Sequence, residues 1–251
     1  MERDENRFSA EQVLKLIRTK KERFWLRERE RRPLALFHEV ARRVPAYRDF
    51  LRKNRIDPDR IRSFSDFQAV PPVDKKNYLR QYPLEKLCWD GSLKRSSVWT
   101  STSGSTGEPC YFPRDEVLDW QSSIYHEMFL QNDEGNRKKS TLVVVGFGMG
   151  VWIGGLITYQ AFKKIADRGY PISIITTGSN KQEIFEVIKH IGGKFSQIIL
   201  CGYPPFIKDT IDEAKRYGID WSKLHVKIVF AAEAFSEAFR NYIIRKAHIR
   251  N

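Results

Sequence analysis

Short runs of β-branched and aliphatic residues alternate with longer amphipathic stretches across the second half of the chain. Runs at 141–145, 172–176, 197–201 and 226–230 read as strands. Stretches at about 152–168, 180–191, 205–217 and 236–248 read as helices, each set off by Gly, Pro, Asn or Ser. Four consecutive βα units predict an α/β fold: a mainly parallel sheet with right-handed crossovers and helices on its faces. Val143 to Val145 and Ile198 to Leu200 are apolar at every position, the pattern of strands covered on both sides.

The first quarter reads differently. Ser9-Ala10-Glu11-Gln12 is a capping box, with Phe8 and Val13 at staple spacing, so a helix starts near residue 10 and is expected to end before Pro33. A second helix is expected over 34–43, and Pro45 opens a third through Lys53. Pro71, Pro72 and Pro83 leave room only for a short helix around 75–80. The expected organisation is a basic helical region at 1–60 followed by an α/β region at 61–251.

Charge sharpens this division. Residues 1–60 hold 18 basic and 11 acidic residues, and the whole 251-residue chain has a net charge of +13. Such a surface attracts polyanions such as nucleotides, nucleic acids or anionic lipid. With 41% apolar residues the chain can build a real core, which excludes global disorder. Cys88, Cys110 and Cys201 lie far apart, as do the five histidines, so neither a disulfide framework nor a metal-ligand spacing is present. A reducing, cytoplasmic location is expected. Residues 141–162 run 22 positions without a charge, enough to cross a bilayer, but Gly146, Gly148 and Gly150 break the run into strand, turn and second element. No membrane span is expected, and Met1 to Arg7 is followed by no apolar leader core.

Candidate chemistry concentrates at 100–109, where eight of ten residues are Ser, Thr or Gly. Such a run offers successive backbone N–H groups and hydroxyls with no bulky side chain, which is how loops wrap phosphate oxygens. The same composition also suits a flexible connector. Two commoner phosphate motifs fail. Gly107 is followed by Glu108, so the GxxxxGK[ST] loop is absent, and the glycines from Gly146 do not complete GxGxxG.

Thr102-Ser103-Gly104-Ser105-Thr106-Gly107-Glu108-Pro109 resembles the phosphate loop of the adenylate-forming enzymes, and within them of the phenylacetate–CoA ligase-like branch. Upstream, Pro72, Lys76 and Leu79 stand in the Pro-x-x-x-Lys-x-x-Leu spacing that precedes the loop in that branch. Ala231-Ala232-Glu233 is similar to the family's Gly-Ala-Glu segment, with Ala231 in place of Gly. Glu108 stands where the family often carries Lys. The family's Tyr-Gly-x-Thr-Glu motif and C-terminal catalytic Lys are not found, so the expectation is the first part of a large adenylation domain, truncated at its C-terminus.

The resemblance implies ATP-dependent activation of a small carboxylic acid as its acyl-adenylate, followed by transfer to CoA, usually with Mg²⁺. It assigns the phosphates to Thr102, Ser103, Gly104, Ser105, Thr106 and Gly107, and the adenine to Ala231, Ala232 and Glu233. Gly148 and Trp152 would border the acyl pocket, although an aromatic there also suits a core. No residue is assigned a catalytic role, and none a metal. Two other readings stay open: a catalytically silent nucleotide-binding remnant, and a basic protein that binds nucleic acid or an anionic surface through Phe24, Trp25 and Phe37 among the arginines. No recognised nucleic-acid module is present, so no specific nucleic acid is expected. Self-association through an exposed sheet edge is expected of a partial sheet.

Overall fold

In the computed structural model, residues 8–102, 108–131 and 135–249 are described. They divide into two units, one of Val13–Trp99 and one that holds the described residues from Thr100 onward together with 8–12.

The N-terminal helices begin as the capping box requires. Helix α1 (Ala10–Thr19) is capped reciprocally: the Ser9 amide donates to Gln12 Oε1 at 2.7 Å, and the Gln12 amide donates to Ser9 Oγ at 3.2 Å. The helix then stops thirteen residues earlier than Pro33 leads one to expect, and α2 (Glu22–Arg43) runs straight through that proline. The break falls where Thr19 Oγ1 turns back to donate to the Lys15 carbonyl, a bond that competes with helix continuation. Pro33 is tolerated because the amide bond it deletes would have gone to exposed Arg29, whose carbonyl water can serve. Beyond it, Leu34, Phe37, Val40 and Ala41 hold the helix by packing. Helices α3 (Pro45–Lys53) and α4 (Phe64–Gln68) complete a core of Phe37, Ala41, Val44, Phe50, Leu51 and Tyr78. The short helix expected near 75–80 is a single wide turn, Lys75–Leu79, capped by Asp74 through the amides of Lys76 and Asn77.

The second unit is the α/β layer structure. Strands β1 (Val98–Ser101) and β2 (Tyr111–Arg114) form a two-stranded sheet, followed by α5 (Glu116–Gln131). Then come β3 (Thr141–Val145), α6 (Ile153–Asp167), β4 (Ile172–Thr176), α7 (Lys181–Ile191), β5 (Gln197–Gly202), α8 (Pro204–Glu213), β6 (Val226–Phe230) and α9 (Glu237–Lys246). All four strands lie within a residue of the expected bounds. The apolar run 141–162 is therefore strand, turn and helix, and among the described residues no helix is long and apolar enough to cross a membrane.

The sheet is parallel in the order β4-β3-β5-β6. Alternation along β3 and β5 sends Leu142, Val144, Ile198 and Leu200 to the face covered by α7, α8 and α9. Val143, Val145, Ile199 and Cys201 meet α5 and α6 on the other face. Burying these side chains yields roughly 1.5–3 kcal/mol each. Both faces are covered, and β4 and β6 are the outer strands of the sheet.

Helix α5 has no counterpart in the sequence expectations. Its buried positions are mostly polar: Asp119, Ser122, Ser123 and Glu127 are buried alongside Ile124 and Leu130. Glu127 accepts from Tyr170 Oη at 2.9 Å and pairs with Arg168 at 2.7 Å, while Asp119 pairs with fully buried Arg114. With four of six buried positions polar, no continuous apolar stripe marks the helix.

Candidate functional site

The strand order places a topological switch point between β3 and β5: the chain leaves β3 toward β4 and then crosses back to β5. Ligands of open α/β sheets bind at the carboxyl ends of strands at such a point. Register aligns those ends, with Val145 beside Cys201 and Gly202 beside Phe230. The turn at 146–152, Tyr203 and Ala231 therefore leave the sheet along one edge.

The Ser/Thr/Gly loop is anchored to this edge by its stem. The Thr102 amide donates to the Cys110 carbonyl at 3.0 Å, and the Cys110 amide donates to Thr102 Oγ1 at 3.1 Å, closing the loop at its base. One residue earlier, the Ser101 amide donates to the Val151 carbonyl at 2.9 Å, and Ser101 bridges Trp152 in parallel fashion. Of the predicted phosphate residues, Thr102 is thus placed, whereas Ser103, Gly104, Ser105, Thr106 and Gly107 lie outside the described residues.

The turn after β3 needs its glycines. Gly146 sends its amide to the Cys201 carbonyl at 2.8 Å, and a Cβ there would stand 2.9 Å from that same oxygen. At Gly148 a Cβ would meet the Trp152 ring at 3.0 Å, so this glycine lets the indole fold over the turn. Trp152 remains 41% exposed, flanked by exposed Val151 and Ile153, so it is a surface side chain and not part of a core. Gly148 and Trp152 therefore lie side by side across the turn.

Ala231, Ala232 and Glu233 follow β6 directly and are fully on the surface side of the edge, all exposed. Ala232 has φ +80°, a left-handed conformation that costs a Cβ-bearing residue roughly 1–2 kcal/mol. The glycine that the family pattern suggested at Ala231 would be better used one position later. Beside this segment, Phe230, Phe235 and Phe239 cluster with ring centroids 5.0–6.0 Å apart. Sequence patterning did not single out this aromatic group; the signal was Phe235 just ahead of the Ser236 N-cap, with Phe239 in the first turn of α9. Cys201, at the end of β5, is fully buried and its thiol is pushed well up by burial, so it is no nucleophile.

No protein-family model and no curated protein matches the sequence. Solved structures do match. An open conformation of 2-hydroxyisobutyryl-CoA ligase, in complex with 2-HIB-AMP and CoA, superposes with a TM-score of 0.68 at 15% identity, covering 87% of this chain and 50% of that one. The same ligase in its thioesterification state, again with 2-HIB-AMP and CoA, gives 0.67 at 16% identity over 86% and 46% of the two chains. Its postadenylation state with 2-HIB-AMP gives 0.67 at 14% over 86% and 45%. The chain spans about half the length of the ligase structures it matches, and it shares the fold of that half.

Proposed function

We propose that this chain binds ATP at the carboxyl edge of its sheet and serves the activation of a small carboxylic acid as an acyl-adenylate for transfer to CoA, as an acid–thiol ligase of the phenylacetate–CoA ligase-like branch. One observation carries the reading: the 2.9 Å bond from the Ser101 amide to Val151 ties the stem of a Ser/Thr/Gly loop to the glycine turn at the switch point. The shared fold with a ligase solved with its acyl-AMP and CoA supports it.

In this reading Thr102 holds the loop closed while the amides and hydroxyls of Ser103, Gly104, Ser105, Thr106 and Gly107 take the β- and γ-phosphates. The acid's carboxylate oxygen attacks the α-phosphorus, and the bond to the leaving pyrophosphate breaks. Positioning and charge neutralisation carry such transfers. Ala231, Ala232 and Glu233 present exposed backbone and a carboxylate to the adenine, and Gly148 with Trp152 borders the acyl group. Mg²⁺, when bound, would offset phosphate charge. No group of three His, Cys, Asp or Glu gathers among the described residues, and phosphate oxygens with loop hydroxyls are the donor set that fits this ion. A cytoplasmic location belongs to the same reading, supported by three unpaired cysteines. So does self-association through the outer strands β4 and β6, which concentration-dependent light scattering would register.

Binding tests the proposal directly. Calorimetric titration of the full chain with ATP should show saturable binding that Gly104→Val abolishes, because a β-branched side chain blocks the backbone's approach to phosphate. Equal affinity in a folded Gly104→Val variant would overturn the assignment.

A further inference from the structure

Helix α1 and the first half of α2 carry apolar side chains that no core uses. Val13, Leu14, Leu16, Phe24 and Trp25 are half-buried, while Ile17 is 50% and Leu26 47% exposed. None of these seven belongs to, or packs against, any of the three clusters of buried side chains. The same stretch is strongly basic: residues 15–32 hold nine Lys or Arg against three Glu, a net +6.

Part of that charge is already compensated. Glu28 lies 2.7 Å from Arg31 and 2.9 Å from Arg32, and hydrogen bonds from the two guanidinium groups hold its carboxyl down to about 2. The rest is not. Lys15, Arg18, Lys21, Arg23 and Arg29 make no ion pair among the described residues, and all five are exposed. Lys20 and Arg27 flank the Phe24 ring at 5.4 and 5.9 Å, and Trp25 meets the same ring edge-on at 5.0 Å. Cations and apolar groups are thus interleaved over a few turns.

We infer that this helical arm docks on an anionic lipid bilayer, lying along its surface. Headgroup phosphates and carboxylates complement the uncompensated cations, whose long stems let the charged ends stay at headgroup level. Trp25, with an apolar body and a polar N–H, suits the boundary between headgroups and acyl chains, where Ile17 and Leu26 also leave water. A nucleic acid would satisfy the charge but leave Ile17 and Leu26 exposed. A second copy of the arm would set +6 against +6.

Co-sedimentation of the full chain with phosphatidylcholine vesicles, with and without phosphatidylserine, tests this. Binding is expected only to the phosphatidylserine vesicles and should weaken steeply with salt. Lys20→Glu, Arg23→Glu and Arg27→Glu together should lower affinity roughly tenfold or more. Trp25→Ala with Leu26→Ser should lower it at unchanged charge. Brominated acyl chains should quench tryptophan fluorescence of the unmodified protein, and Trp25→Phe should remove that quenching, a readout independent of the other variants. Absence of binding, equal binding to both vesicles, no quenching, or tighter binding to single-stranded RNA than to phosphatidylserine vesicles would each overturn the inference.

Discussion

The Ser101 amide donates to the carbonyl of Val151 across 2.9 Å, joining two segments fifty residues apart at the end of β3. This bond holds the residue before Thr102, the last described position ahead of the Ser/Thr/Gly run, beside the turn that follows β3. Ser101→Pro removes the donor and is expected to weaken ATP binding roughly tenfold, equivalent to ~1.4 kcal/mol. Ser101→Ala keeps the amide and should bind as the parent does. Calorimetry on both variants separates the backbone bond from the hydroxyl.

Gly155, in the first turn of α6, sits under the glycine turn, where a Cβ would stand 2.5 Å from both the Gly148 carbonyl oxygen and Met149 Sδ. Gly155→Ala should therefore destabilise the protein by about 1–3 kcal/mol through overpacking. At neighbouring Gly154 the nearest atom would be Phe147 Cβ at 3.6 Å, an ordinary contact. Gly154→Ala should be tolerated, and urea midpoints of the pair give the comparison.

Ala232 pays for its left-handed backbone, φ +80°, with strain that glycine would not incur. Ala232→Gly is expected to raise stability by about 1 kcal/mol in thermal denaturation, less the entropy glycine adds to the unfolded chain. Ala231→Gly relieves no such strain and should be neutral or destabilising. A gain at Ala231 in place of Ala232 would contradict the observed turn.

Arg114, only 1% exposed, pairs with buried Asp119, and its Nε and Nη1 have no other hydrogen-bond partner. Asp119→Ala would leave a buried guanidinium uncompensated, so the loss should reach about 3–5 kcal/mol. Replacing both, Arg114→Met with Asp119→Leu, should recover most of it. Denaturation of the single and double variants measures the difference.

His126 titrates below its ordinary 6.5, because burial against the Phe162 ring disfavours the imidazolium more than the bond from Nδ1 to the Ser122 carbonyl favours it. The unfolded chain then binds a proton more readily than the folded one. Stability from this group is full above about pH 6.5 and falls as pH drops below it. His126→Gln should flatten that part of the stability profile, which denaturation midpoints from pH 7 to 5 would reveal.

The α/β class, the four strands and the helices that cover them were legible in the chain, because β3 and β5 are apolar at almost every position and the glycines, prolines and asparagines between elements leave few alternatives. The run at 102–107 and the segment at 231–233 stand out in the chain by composition and order, and their roles remain part of the proposed function. Three things were decided only in three dimensions. Helix α2 passes through Pro33 because Phe37 and Ala41 find a core beyond it, a gain that no local rule contains. Helix α5 buries Asp119, Ser123 and Glu127, whose partners Arg114, Arg168 and Tyr170 lie outside the helix, so its apolar stripe is interrupted and weak. The meeting of Ser101 with Val151 is a backbone contact, independent of side-chain identity, between segments fifty residues apart, so no local pattern announces it.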